Sequence, residues 1–240
     1  MMSATNTMEG FQPAAEADDV ERAQFIRRTY AHLALAILAF VGLENWLLSL
    51  PIAETFTQYA MNRYVWLAIL GVYMAVAAVA ESWAKSGANV AAQYFGLGLY
   101  VAAEACLFVP LLTMARIISP DIIPTAAILT GVLTGGLTFV CFATRANFSG
   151  FRSFLCIAGF IALGLIFSSA VFDFGLGLWF SAGMILVAGA AILYNTSNVL
   201  NEFDTRQHVA ASLALFAAVA LLFWYIVRIL IQIYFRAQNK

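Results

Sequence analysis

Seven long apolar stretches, separated by short polar breaks, fill most of the 240-residue chain. A hydrocarbon core about 30 Å thick needs roughly 20 helical residues, and every stretch is long enough. The stretches are about twice as long as a barrel strand and do not alternate between apolar and polar positions, which favours helices. The predicted spans are 29–50, 64–84, 90–114, 122–143, 151–172, 176–200 and 209–234. The pattern therefore predicts an all-α, polytopic membrane protein, a bundle of seven transmembrane helices.

Turn-forming residues mark the breaks, such as Pro51 after the first span and Pro120 after the third. Connections this short make consecutive helices antiparallel neighbours, so residues 22–240 are predicted to form one seven-helix domain. Residues 1–21 mix Ser, Thr, Gly, Pro and acids without periodicity, which is typical of a disordered, solvated tail.

Composition agrees with a membrane protein, since 63% of the residues are hydrophobic, 10% are charged and the mean hydropathy is +0.87. The net charge of −1 gives no basis for nucleic-acid binding. A cytosolic N-terminus places most cations of the first six helices on the cytosolic side, as in a bacterial inner-membrane protein. The cytosolic cations would be Arg22, Arg27, Arg28, Lys85, Arg145, Arg152 and Arg206, against Arg63 and Arg116 outside. Seven full crossings then place the C-terminus outside.

The sequence lacks the residues that several classes of activity require. The two lysines, Lys85 and Lys240, lie outside the spans, which excludes a retinal Schiff base. H-E-x-x-H, G-x-S-x-G and G-x-x-x-x-G-K-[ST] are absent, and the three cysteines form no C-x-x-C pair. His32 and His208 lie near the inner surface without a cluster of further ligands. We therefore expect no enzymatic activity, no cofactor and no metal site in the protein.

Glu104 lies near the middle of the third span, within LYVAAEACLF (99–108). An ionised acid at that depth costs about 3 kcal/mol on insertion scales, so it must find a partner or stay protonated. One interpretation is a proton or cation site. The other is a protonated carboxyl that hydrogen-bonds a neighbouring helix as structural support. The sequence leaves both open.

Arg228 lies inside the last span, at a predicted depth similar to that of Glu44 in the first span and Asp173 at the end of the fifth. Pairing with either acid would lower the cost of both charges and form an outer gate. The alternative is that the arginine extends toward lipid phosphates.

Four segments resemble the Bax inhibitor family, the transmembrane Bax-inhibitor-motif proteins, and in particular its bacterial branch. They are RTYAHL (28–33), YNTSNVL (194–200), AASLALF (210–216) and LFWYIVR (222–228). The similarity extends from Arg22 to Tyr234, with matching span count and loop lengths. The resemblance implies a bundle whose last helix is central.

The resemblance also implies a pH-sensitive passive leak for cations, chiefly calcium ion. In that family an aspartate pair near the sixth helix senses pH, and an arginine of the last helix pairs with an acid. Arg228 matches this arginine and Asp173 matches one aspartate region, but Asn195 occupies the position of the sixth-helix acid and cannot titrate. The expected ion-pathway or pH-sensing residues are therefore Glu104, Asp173, Asn195 and Glu44, with Glu104 as the replacement sensor.

A second function is implied by the same resemblance. Bacterial members of the family modulate a membrane-anchored AAA protease of the FtsH type, and the Thr-Ser-Asn run at 196–198 is similar to theirs. In this interpretation the N-terminal tail engages the protease, and the bundle conducts no ions.

Overall fold

A computed structural model of the chain describes residues 13–86 and 89–238, which form eight helices and no strand. The helices are α1 (Asp19–Leu47), α2 (Ile52–Ala60), α3 (Arg63–Ala84), α4 (Val90–Ile118), α5 (Ile122–Thr144), α6 (Phe151–Phe172), α7 (Leu178–Asn201) and α8 (His208–Gln238). All except α2 are long and apolar enough to cross a bilayer. The predicted all-α, seven-span architecture is confirmed.

The last helix, α8, is central in the bundle. It packs against α1, α3, α4, α5 and α7. Five consecutive residues at its start, 209–213, are buried, so every face of this part of the helix meets another helix. In contrast, α6 packs mainly against α7, and its buried residues are Ala162 and Ala170. The central position expected for the last helix is confirmed, and α6 is a loosely held peripheral helix.

The first helix begins about three turns before the predicted span. Asp18 caps it by accepting a hydrogen bond from the Glu21 backbone N–H at 2.7 Å. Ala14, which is fully buried, donates its backbone N–H to the Phe203 carbonyl at 2.8 Å. The structure thus differs from the predicted disordered tail over residues 13–21, because the α7–α8 connection supplies partners that composition does not reveal. Residues 1–12 of that tail lie outside the described residues.

Helix α2 was not predicted. Its buried residues, Ala53, Thr57 and Ala60, recur at helical spacing and face α4, while Ile52 and Tyr59 are exposed. Nine residues are too few to cross a bilayer. A search for stretches of about 20 apolar residues therefore does not find it.

Helices α3 and α4 are in close contact at Gly96. A Cβ atom there would lie 2.5 Å from the Ala80 carbonyl oxygen and 2.7 Å from the Ala84 backbone nitrogen. Small residues at a crossing allow helix backbones to meet in this way. The contact positions the rest of α3 beside the middle of α4. We call the end of the bundle where α3 begins and α6 ends the Arg63 end.

Candidate functional site

A cavity of about 730 Å³ lies between α3, α4, α6, α7 and α8. Four of the five residues singled out from the sequence line it: Glu104, Asp173, Asn195 and Arg228. Most of the other lining side chains are aliphatic or aromatic. The fold therefore brings together polar groups from four different helices or their ends, in a cavity whose lining is largely apolar.

Glu104 is 5% exposed and is held by tyrosines from two helices. The Tyr73 hydroxyl of α3 donates to Glu104 Oε1 at 2.6 Å, and the Tyr73 and Tyr100 hydroxyl oxygens are 3.1 Å apart. Tyr100 precedes Glu104 by one turn of α4, so both side chains lie on the same face of the helix. The phenols replace water as partners of the buried carboxyl. Neither tyrosine was predicted from the sequence, although the spacing of Tyr100 and Glu104 places both on one face of α4.

An ion pair joins α3 and α6 at the Arg63 end of the cavity. Arg63 Nη1 lies 2.7 Å from Asp173 Oδ1, and the two side chains are 41% and 79% exposed. Asp173 ends α6 in a left-handed conformation, with φ of 60°. Exposed pairs of this kind contribute about 0–1 kcal/mol, so the contact opens at little cost. The sequence predicted Arg63 only as a cation on the outer side, without this partner.

The predicted partners of Arg228 are corrected by this geometry. Asp173 pairs with Arg63 instead, and Glu44 is not among the residues that line the cavity. Arg228 Nη2 donates to the Leu176 carbonyl at 3.3 Å, and its guanidinium carbon lies 5.7 Å from the centre of the Phe180 ring. Within residues 13–86 and 89–238, no carboxylate lies within ion-pair distance of this guanidinium.

Glu44 is buried on α1, which packs against α4 and α8. It is 4% exposed, and neither carboxyl oxygen has a hydrogen-bond partner in the described part of the chain. Among the acids singled out from the sequence, Glu104 and Glu44 are thus both buried, but only Glu104 faces the cavity. This difference makes Glu44 a natural comparison for Glu104.

Asn195 connects α7 to the central helix. Its Nδ2 donates to the Ala214 backbone carbonyl of α8 at 3.0 Å. An ionised carboxylate at this position has no proton to donate to that carbonyl, whereas a protonated one does. Asparagine therefore holds the α7–α8 contact at every pH.

The two histidines lie together at the end of the bundle opposite the Arg63 end. The His32 and His208 ring centres are 5.0 Å apart, and His32 Nε2 lies 3.0 Å from the Tyr94 hydroxyl oxygen. No group of three or more His, Cys, Asp or Glu side chains suited to hold a metal ion occurs among the described residues. This cluster is a packing contact between α1, α4 and α8.

Comparisons with known proteins agree with the motif resemblance. A family model described as inhibitor of apoptosis-promoting Bax1 matches residues 22–234. The chain is also similar to an uncharacterized protein of Pseudomonas aeruginosa, at 26% identity over 215 residues that cover 88% of this chain and 90% of that protein. No solved structure matches the chain.

Proposed function

The chain belongs to the Bax inhibitor family, and from this membership we propose that it is a pH-sensitive passive leak for cations, chiefly calcium ion. The proposed location is a bacterial inner membrane, with the N-terminus in the cytosol. The leak uses neither a cofactor nor a catalytic step. The observation that carries the proposal is the single cavity that joins the Arg63–Asp173 ion pair, Glu104 and Asn195.

The conformation in which Arg63 pairs with Asp173 is the closed state of the proposed leak. Apolar side chains dominate the cavity, and the Arg63–Asp173 pair ties α3 to α6 at one end. Because that pair is exposed and weak, separation of α6 from α3 would free Asp173 and admit water and cations.

In the open state, Glu104 is the cation ligand and the pH-sensitive group. An ionised carboxylate offers two oxygens to a hard cation such as calcium ion, whereas a protonated one is neutral and binds cations weakly. Tyr73 orients the carboxyl through its 2.6 Å hydrogen bond. Protons and calcium ions then compete for the same side chain, so acidification lowers flux through this site.

The test is calcium flux into liposomes that contain the purified protein and a trapped calcium dye, measured at two pH values. Glu104→Gln keeps the size of the side chain and should abolish the pH dependence of flux. Glu44→Gln removes an equally buried carboxyl away from the cavity and should leave the pH dependence intact. A wild-type pH response in Glu104→Gln would identify Glu104 as structural support and refute its role as sensor.

A complete absence of flux in the wild-type protein would favour the second role, modulation of an FtsH-type protease by the N-terminal tail. Part of that tail is held by the bundle through the bond between Ala14 and Phe203. The role is tested by co-purification of the protease with full-length protein and with a variant that lacks residues 1–12, which keeps the Ala14 contact and the Asp18 cap of α1. Loss of the protease from the truncated variant is the expected result, and unchanged recovery would exclude the tail as the binding element.

A further inference from the structure

The cavity has the size and character of a site for an amphipathic molecule. Its volume of about 730 Å³ lies within the range of roughly 300–1,000 Å³ typical of small-molecule sites. One wall is aromatic, because Trp66 stacks on Trp224 with ring centres 5.8 Å apart and Trp224 meets Phe108 at 4.9 Å. Ala162, Ile166 and Leu221 are among the aliphatic residues that line the cavity. An aliphatic chain would meet apolar atoms along most of the cavity.

Between α3 and α6 the wall of the cavity is sparsely packed, which would give access from the bilayer. The buried residues of α3 are Ala80 and Ala84, both in its last two turns, so the half that begins at Arg63 is not sealed by neighbours. Helix α6 is also sparsely buried and contacts α3 only slightly. A lipid tail would therefore enter the cavity between α3 and α6 directly from the bilayer, on the side of the Arg63–Asp173 ion pair that faces the membrane centre, without passing through water.

Positive charge lies at the Arg63 end of this opening. Arg63 and Arg228 both line the cavity there. Asp173 also lines it, but its carboxylate is paired with Arg63. Arg228 lies level with the α6–α7 connection, since it donates to the Leu176 carbonyl. Among the described residues its guanidinium has no carboxylate partner, which leaves donors for an anion. A guanidinium suits a phosphate well, because its planar fork donates two parallel hydrogen bonds.

We propose that the cavity binds an anionic phospholipid from the adjacent leaflet, with its phosphate on Arg228 and one acyl chain lodged between α3 and α6. Charge complementarity selects the anionic headgroup, and the apolar lining accepts the chain. The site does not depend on whether the cavity also conducts ions. Binding and flux are measured separately, so either proposal can fail without the other.

The experiment is a lipid titration of the full-length, delipidated protein in detergent, followed by native mass spectrometry. The two probes share palmitoyl and oleoyl chains and differ in headgroup, phosphatidylglycerol against phosphatidylcholine. The wild-type protein should bind the anionic lipid more tightly. Arg228→Gln should weaken anionic-lipid binding about tenfold, the effect expected for the loss of a charge-assisted hydrogen bond. Arg116→Gln is the matched control, because Arg116 also donates to a backbone carbonyl, that of Leu48 at 3.4 Å, but lies away from the cavity.

A second pair of variants tests the acyl-chain position. A Cβ atom would meet nothing within 4 Å at either Gly159 or Gly164 of α6, so both positions have room for a side chain. Only Gly159 lines the cavity. Gly159→Leu should lower binding of both lipids, and Gly164→Leu should lower neither.

Three results would overturn the proposal. Equal wild-type affinity for the two lipids would exclude selection by charge. An equal loss of anionic-lipid binding in Arg116→Gln and Arg228→Gln would indicate general attraction to the protein surface. Unchanged binding by Gly159→Leu would show that the chain lies outside the cavity. Monodisperse elution and a wild-type thermal midpoint for each variant ensure that a loss of binding reports on the site.

Discussion

The crossing of α3 and α4 provides a sharp test of the packing described here. In Gly96→Ala, the new Cβ atom would lie 2.5 Å from the Ala80 carbonyl oxygen, 2.7 Å from the Ala84 backbone nitrogen and 3.1 Å from the Trp83 Cβ atom. Two of these neighbours are backbone atoms of a helix and cannot rotate away. The two helices must therefore separate.

The expected cost follows from comparison with Gly98→Ala, two residues along the same helix, where a Cβ would meet nothing within 4 Å. Both substitutions carry the same gain in helix propensity, about 1 kcal/mol, so this contribution cancels in the difference. The remaining difference is the overpacking cost of about 1–3 kcal/mol. At about 2–4 °C per kcal/mol for a chain of this size, Gly96→Ala should melt about 2–12 °C below Gly98→Ala.

The assay is thermal unfolding of both variants and the wild type in the same detergent, followed by intrinsic fluorescence and by the fraction that remains monodisperse. Equal melting temperatures for Gly96→Ala and Gly98→Ala would refute the close contact. A second readout comes from the cavity, because separation of α3 from α4 would draw Tyr73 away from Glu104. The pH response of any calcium flux should therefore change in Gly96→Ala and not in Gly98→Ala.

Further predictions concern topology, the α7–α8 contact and the ion pair. A reporter fused after Lys240 should be found outside and one at Lys85 in the cytosol; a cytosolic C-terminal reporter would exclude seven crossings. Asn195→Asp should introduce or strengthen pH-dependent calcium flux in liposomes, since only the protonated acid can donate to the α8 carbonyl; an unchanged pH profile would show that the position does not control conduction. Arg63→Ala should raise basal flux. The double variant Arg63→Asp with Asp173→Arg reverses the two charges and should return the flux to the low wild-type level. Equal flux in the single and the double variant would show that the pair does not close the cavity.

Helix α2 and the start of α1 show what a search for membrane spans leaves out. Hydropathy identifies long apolar runs reliably because a span must be apolar over about 20 residues whatever surrounds it. The burial of Ala53, Thr57 and Ala60 depends instead on α4, which begins 30 residues after α2 ends. Likewise, Ala14 is held by a hydrogen bond to the Phe203 carbonyl in the α7–α8 connection. The sequence of residues 13–18 does not indicate that partner.

The class of the protein, the number and approximate limits of its spans, its family and the polar residues that a bilayer makes costly can all be read from the amino-acid sequence. These follow from the free energy of placing each side chain in an apolar solvent, which is largely a local property. Which of these residues meet depends on the fold. It pairs Asp173 with Arg63 rather than Arg228, supplies Tyr73 to Glu104 and leaves Glu44 apart from the cavity. Such contacts depend on how each helix is rotated about its axis and on which neighbours it packs against, and hydropathy along the chain gives neither of these.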